Sequence, residues 1–350
     1  MRALTFLCVA AAGCWTLPNV VQAQQLQWQE SSTGCEASLR GLSVVDDQTL
    51  WASGAKATVV RSVDAGVSWQ SCGPQGFDQL EFRSIVALDG QTATLASAGT
   101  PAVILQTYDG GRTWKETFRH PSPAAFFDGM RFWDRERGIA FSDPVDGRLL
   151  IMTTADAGLT WQSVAPENIP PATEKEGGFA ASNSVLCIGK GGRAWIGTGG
   201  TKSLRSRIYV TSDFGKNWTA RPCPLHSDTA AGVFSIAFHA DLNLLIAVGG
   251  DYRPEATSST TAALSRDLGQ TWQLAAQPPS AFVSAVSLAS LDRRAKILIA
   301  TGPTSSFMSA DGDNWQQFST IGFHALETSP NGSVYAVGSA GRFAKLNFRN

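Results

Sequence analysis

The chain is poor in charge. Of its 350 residues only 16% are Asp, Glu, Lys or Arg, and the formal net charge is −1. No global field draws it to nucleic acid or to an anionic membrane, so a charged-ligand site has to be a local cluster. Beyond the N-terminus no stretch is apolar enough to cross a bilayer. Cysteine is scarce, at six residues, and none stands in a CxxC arrangement, which removes the usual redox and zinc motifs. The histidines (His120, His226, His239 and His324) are scattered, and no calcium-loop spacing accompanies Asp143 and Asp146. No nicotinamide or flavin fingerprint is present. Neither a metal nor a cofactor is expected.

What is abundant is glycine and tryptophan, 34 and 11 residues, a balance that suits an all-β protein with many turns. The first 23 residues read as a secretory signal. Arg2 gives a short positive region, Ala3 to Leu17 an apolar stretch, and Val21-Gln22-Ala23 a small-x-small cleavage pattern, with Pro18 and Asn19 breaking any helix before it. A lipobox-like Ala12-Gly13-Cys14 is the minor alternative, weakened by Ala rather than Leu at position 11. Residues 24–350 are expected to form one exported domain, periplasmic or secreted, and monomeric.

Self-similarity fixes the architecture. Ser62-Val-Asp-Ala-Gly-Val-Ser-Trp69 returns as Thr107 to Trp114, Thr154 to Trp161, Thr211 to Trp218 and Ser265 to Trp272. Ser309 to Trp315 is a further copy, one residue short. The pattern Ser/Thr-x-Asp-x-Gly-x-Ser/Thr/Asn-Trp is the Asp-box, or BNR repeat. Its Asp (Asp64, Asp109, Asp156, Asp213, Asp267 and Asp311) accepts hydrogen bonds from its own turn, Gly supplies a left-handed backbone, and Trp seals the hairpin. These aspartates are turn formers rather than a catalytic array. Consecutive box aspartates are 45, 47, 57, 54 and 44 residues apart. Short strands with glycine-rich turns precede each box, as in Phe82 to Leu88, Thr92 to Gly99 and Val103 to Thr107. Four strands per unit make a propeller blade.

Six boxes alone would suggest six blades, but the chain ends supply a seventh. Phe323 to Thr328, Val334 to Gly338 and Arg342 to Phe348 repeat three strands without a fourth, while Leu26-Gln-Trp-Gln29 matches the residues around a box Trp. A seven-bladed β-propeller closed by its N-terminal strand is expected, which also removes exposed sheet edges.

Strand order places the boxes on one face and the unusual segments on the other. Opposite the boxes lie Ser142 to Arg148, Thr198 to Arg207, Gly249 to Thr261 and the linker Pro166 to Gly178, with Glu174, Lys175 and Glu176. The starts of the first strands reach the same mouth. Candidate ligand-binding residues are Arg40, Arg83, Asp128, Arg131, Asp143, Asp251, Arg253 and His324, basic over blades seven, one and two and acidic over blades three to five. A concave, charge-divided mouth is the default ligand site. Removal of the first 23 residues leaves Cys35, Cys72, Cys187 and Cys223; Cys35–Cys72 is the first candidate disulfide and Cys187–Cys223 a weaker one.

The boxes and the blade pattern resemble the exported Asp-box propellers of the photosystem II assembly/stability factor family and its bacterial relatives, over essentially the whole mature chain. The resemblance implies a non-enzymatic scaffold that binds partner proteins, partly through arginines, for which Arg40, Arg83 and Arg131 stand closest. The central insertions depart from the compact assembly factor. Sialidases and related glycosidases share the boxes, but their Arg-Ile-Pro motif is missing here; on that alternative Asp143, Glu176, Asp251 and Tyr252 would form the site. The expected function is binding of a protein or glycan on the face opposite the boxes.

Overall fold

The computed structural model describes residues 26–201, 205–253, 260–290 and 296–348. The expected signal segment, Lys202 to Leu204 of the blade-four loop and Pro254 to Ser259 of the blade-five loop lie outside these residues.

Seven four-stranded antiparallel sheets form a ring. Their innermost strands are β2 (Leu39–Val44), β6 (Phe82–Ala87), β10 (Phe127–Phe132), β14 (Leu186–Ile188), β18 (Ala231–His239), β22 (Ala285–Ser290) and β26 (Ala325–Thr328). The N-terminal strand β1 (Leu26–Ser32) pairs antiparallel with the C-terminal strand β28 (Arg342–Phe348), from Leu26 opposite Phe348 to Ser32 opposite Arg342. The seventh blade is thus built from both chain ends, and the ring has no free edge between them.

Each box turn is held as its residue types require. In the first, the hydroxyl of Ser62 accepts from Gly66 N–H at 2.8 Å, and Asp64 Oδ1 accepts from Ser68 N–H at 2.9 Å. Ala65 and Gly66 both take left-handed backbone, φ 63° and 83°. The turn also bonds the neighbouring hairpin of its own blade, Ala65 N–H to Gln48 O at 2.9 Å, so boxes and first-to-second turns share a face. In the shortened sixth box, Asp311 Oδ1 accepts from both Asp313 and Asn314 N–H at 2.8 Å.

The tryptophan reaches further than a hairpin seal. Trp69 packs into the core between blades seven and one, against Phe343 at 5.0 Å. Trp114 faces Trp51 of the preceding blade, and Trp161, Trp218, Trp272 and Trp315 enter the next four inter-blade cores in turn. Trp28 on β1 fills the seventh, with its indole N–H on Ser306 Oγ at 3.0 Å. A box tryptophan, or Trp28 in its place, therefore wedges each junction, and Trp51, Trp133 and Trp195 add a second in three of them.

The same layering rules out both candidate disulfides, and all four cysteines are free thiols. Cys35 packs in the core between blades seven and one, Cys72 in the core between blades one and two, so the first sheet stands between them. Cys187 is on the innermost strand of blade four and Cys223 on its outermost, Thr219–Cys223. Three strand spacings separate them, about 14 Å, twice the reach of a disulfide.

The channel is plugged. After the linker from blade three, residues 178–184 run into it, ending in a single 3-10 turn, Asn183–Val185. Asn183 Oδ1 accepts from Met130 N–H at 2.8 Å, and its amide donates to Ile85 O at 3.2 Å. Ser182 reaches Ser284 O at 3.1 Å, and the hydroxyls of Ser184 and Ser235 lie 2.7 Å apart. Four blades are thereby tied to one segment.

Two predictions follow from these contacts. Asn183→Ala strips partners from two buried backbone groups and should cost about 2–4 kcal/mol in denaturant unfolding, with the fold retained. The box aspartates sit below the ordinary carboxylate range, Asp64, Asp109 and Asp267 at about 2, chiefly through hydroxyl and backbone donors that outweigh whatever burial opposes them. Their stabilisation is complete above the unfolded value of about 3.9 and is lost as pH falls through the folded value. Unfolding midpoints measured from pH 5 to 2 should drop in that window.

Candidate functional site

Four innermost strands open with the same irregularity. The register slips between Leu39 and Gly41 in β2, Phe82 and Ser84 in β6, Phe127 and Gly129 in β10, and Val233 and Ser235 in β18. A bulge leaves one residue unpaired and re-aims its side chain. The residues so placed are Arg40, Arg83, Asp128 and Phe234. The flanks explain the recurrence: the preceding residue is apolar and fully buried, and the following one is Gly or Ser. A Cβ on Gly41 would lie 2.2 Å from Ser53 Oγ and 3.1 Å from Arg83 O. Ser284 and His324 hold the matching place in blades six and seven, again between an apolar residue and an alanine.

All six line one cavity of about 460 Å³ on the face opposite the boxes, floored by residues 178–181 of the plug. Arg40 and Arg83 stand side by side on neighbouring blades. Arg40 donates to Ala181 O at 3.4 Å and Arg83 to Ala180 O at 3.2 Å. They share one carboxylate, Glu81, at 2.7 Å from Arg83 and 3.9 Å from Arg40. Burial, then the Arg83 charge, lowers the Arg40 pKa, while Glu81 opposes this. His324 adds no charge at neutral pH. Burial first, then Arg40, Arg342 and Arg83, pushes its imidazole down to about 4.

On blade three the cavity meets two carboxyl groups. Asp128 is 1% exposed, and its Oδ2 has no partner among the described residues. Burial and the Asp143 charge push its pKa well above the ordinary range against Arg83 and two backbone donors. Asp143 is raised as well, by burial, although its Oδ1 accepts from Gly178 N–H at 2.9 Å. Gly178 has to be glycine, since a Cβ there would lie 2.5 Å from the Asp128 carboxyl carbon. The remaining wall is aromatic. Phe179 stacks on Phe234 at 4.1 Å, Phe282 meets Phe234 edge-on at 4.7 Å, and Tyr252 stands 6.3 Å from Phe234.

The cavity thus gathers Arg40, Arg83, Asp128, Asp143, Tyr252 and His324 from the sequence candidates, and four others fall outside it. Arg131 lies below the plug in a separate cavity of about 310 Å³ toward the box face, 3.6 Å from Glu327. Four residues into its strand, it has passed the level where the plug crosses. Glu176 is 4% exposed and ion-paired with Arg207 at 3.0 Å, with Thr198 on its other oxygen at 2.7 Å. It anchors the linker to blade four rather than joining a carboxylate pair. Asp251 is held by Arg253, which also bonds Asp228 at 3.0 Å, so the acid and the base that were candidates separately neutralise each other. Arg253 dominates the lowering of the Asp251 pKa. Apart from Tyr252, the aromatic wall was missed, although Phe234 shares the bulge position of Arg40 and Arg83 and was findable from that alignment. Among the described residues no three His, Cys, Asp or Glu side chains gather as metal ligands, and no helix is long and apolar enough to cross a membrane.

An open groove of about 740 Å³ adjoins the cavity through Asp143, Gly178 and Phe179 and runs between Gly147 and Gly200 over blades three and four. Cavity and groove together offer a positive end, an acidic corner, an apolar wall and an exit for an extended chain. This suits binding of a flexible segment better than enclosure of a small molecule.

Residues 20–123 match the family model described as photosynthesis system II assembly factor YCF48. No curated protein matches the sequence. Among solved structures, YCF48 bound to a D1 peptide aligns with a TM-score of 0.62 at 17% identity, covering 92% of this chain and 97% of that one. YCF48 from Cyanidioschyzon merolae aligns at 0.64 and 15%, covering 91% and 98%. A GH74 xyloglucanase from Xanthomonas campestris aligns at 0.59 and 15%; 91% of this chain spans about half, 53%, of the enzyme. At such identities the likeness is one of fold. The chain is a seven-bladed β-propeller that resembles the photosystem II assembly factor family, by sequence over residues 20–123 and by fold over nearly its whole length.

Proposed function

We propose that the protein is an exported, non-enzymatic binding propeller that takes a segment of a partner polypeptide into the plugged cavity and its adjoining groove. One observation carries the reading. Arg40 and Arg83 project from equivalent bulges into a closed-floor cavity, and among the described residues only Glu81 pairs with them, which leaves one positive charge without an ion pair there, beside an aromatic wall. A partly desolvated arginine pair recognises carboxylates strongly, and the aromatic wall accepts apolar side chains. The family match over residues 20–123 and the fold shared with a propeller whose structure holds a peptide support the same reading. An assembly role for one particular membrane complex is a narrower claim, and the blade-three to blade-five insertions set this chain apart from a compact factor.

Glycoside hydrolysis is the second reading, favoured by Asp143 and Tyr252 lining one cavity and by the fold shared with a xyloglucanase. Engagement of Glu176 by Arg207 and of Asp251 by Arg253 counts against it, because neither carboxylate is available as acid or nucleophile.

Fluorescence-polarisation screening of a peptide array should find acidic segments whose affinity falls at least about tenfold in Arg40→Ala/Arg83→Ala, the loss of charge-assisted hydrogen bonds. Turnover on a broad glycoside panel that Asp143→Asn abolishes would instead establish the enzyme. Export through cleavage after Ala23 predicts Gln24 as the first residue of the exported protein by intact-mass and N-terminal sequencing. A mass that retains residues 1–23, or a diacylated Cys14, would overturn that cleavage.

A further inference from the structure

The cavity's acidic corner does something the arginine pair does not explain. Every other partly or fully buried carboxylate around this mouth has a cation: Glu81 has Arg83, Glu176 has Arg207, and Asp251 has Arg253. Asp128 and Asp143 line the cavity without an ion pair among the described residues. Asp128 is 1% exposed and leaves Oδ2 unpartnered, an arrangement that costs free energy unless something fills the place. Arg83, whose charge opposes the rise of its pKa, is turned to Glu81 and Ala180 O. The raised pKa of both acids is what an uncompensated, desolvated pair shows.

The surroundings define what would fill it. Phe126, Phe179 and Tyr252 line the same cavity, and Tyr252 is 54% exposed, so aromatic rings flank the approach to the carboxyl groups. Carboxylates beside aromatic rings suit a cation on an apolar stem, which gains an ion pair at its head and cation–π and packing contacts along its length. An anion is repelled here, and a neutral hydroxyl gains only an ordinary hydrogen bond.

We propose that Asp128 and Asp143, with Phe179 and Tyr252, form a subsite for a basic side chain, lysine or arginine, of the bound polypeptide. It rests on the partner-binding reading for its natural ligand but is a local property of the cavity. The two halves of the cavity then demand opposite charges: a carboxylate at Arg40 and Arg83, and a cation at Asp128 and Asp143. Partner segments with both charges fit, and uniformly acidic or basic segments lose one half of the site.

Small probes test the subsite without any peptide. NMR titration of the intact mature protein at pH 7 with n-butylammonium, n-propylguanidinium and n-butanol should show at least one cation binding about tenfold more tightly than the alcohol. Asp143→Asn and Asp128→Asn, each checked for an unchanged circular dichroism spectrum, should bring the cation down to the level of the alcohol. Asp146→Asn, an exposed charge change outside the cavity, should leave the preference in place. Equal binding of cation and alcohol, or a preference that survives both cavity substitutions, overturns the proposal. Cation binding with no peptide ligand would sink the partner reading and keep the subsite; peptide binding without cation preference does the reverse.

Discussion

The fold depends on how neighbouring blades are joined, and one side chain type does most of that joining. Each blade brings one tryptophan to the core it shares with the blade before it: Trp69, Trp114, Trp161, Trp218, Trp272 and Trp315 from the boxes, and Trp28 from the N-terminal strand. A tryptophan removes on the order of 200 Å² of surface from water, about 5 kcal/mol as an upper figure, whereas a turn hydrogen bond nets about 1 kcal/mol. The box turn therefore matters chiefly as the device that aims the indole. Five of the six box indoles donate back to the carbonyl of the box glycine, as Trp69 does to Gly66 O at 3.2 Å. Trp114 instead donates to Cys72 O of blade one at 2.8 Å, and the wedge is kept.

A closed ring leaves a hole, and this protein fills it with its own chain. The plug converts an open channel into two blind cavities, one facing each side of the disc. It also brings Ala180 and Ala181 carbonyls within reach of Arg83 and Arg40, and it seats Gly178 against Asp128 and Asp143. The segment that closes the ring's centre thus also shapes the cavity, because its hydrogen bonds to blades two, three, five and six hold the floor on which the arginines rest.

Several features were legible in the chain because they repeat. The box spacing gave the blades, and Trp28 without a box of its own gave the closure. Arg40, Arg83, Asp128 and His324 were recognisable as equivalent because each follows a large apolar residue at the start of a first strand. What could not be read was pairing between residues distant in the chain. Glu176 and Arg207, Arg253 and Asp228, and Arg131 and Glu327 are each unremarkable alone, and only proximity turns an apparent functional charge into an internal ion pair. The cysteines failed for the same reason. Cys35 and Cys72 lie on opposite sides of the first sheet, and Cys187 and Cys223 lie on the inner and outer strands of one sheet.

The sequence by itself determined the number of blades, the strand that closes them and the face on which unusual residues collect. These follow from local chemistry: turn-forming Asp and Gly, and an apolar–x–small pattern whose middle residue a bulge turns toward the axis. Tertiary structure decided which of those residues share a cavity and which are cancelled by a partner. It also decided that residues 178–184, read in sequence as the end of a linker and the approach to a strand, are the floor of the site. Small side chains such as Ala180, Ala181 and Ser182 carry little signal in a sequence, yet they let the segment pass where seven inner strands converge.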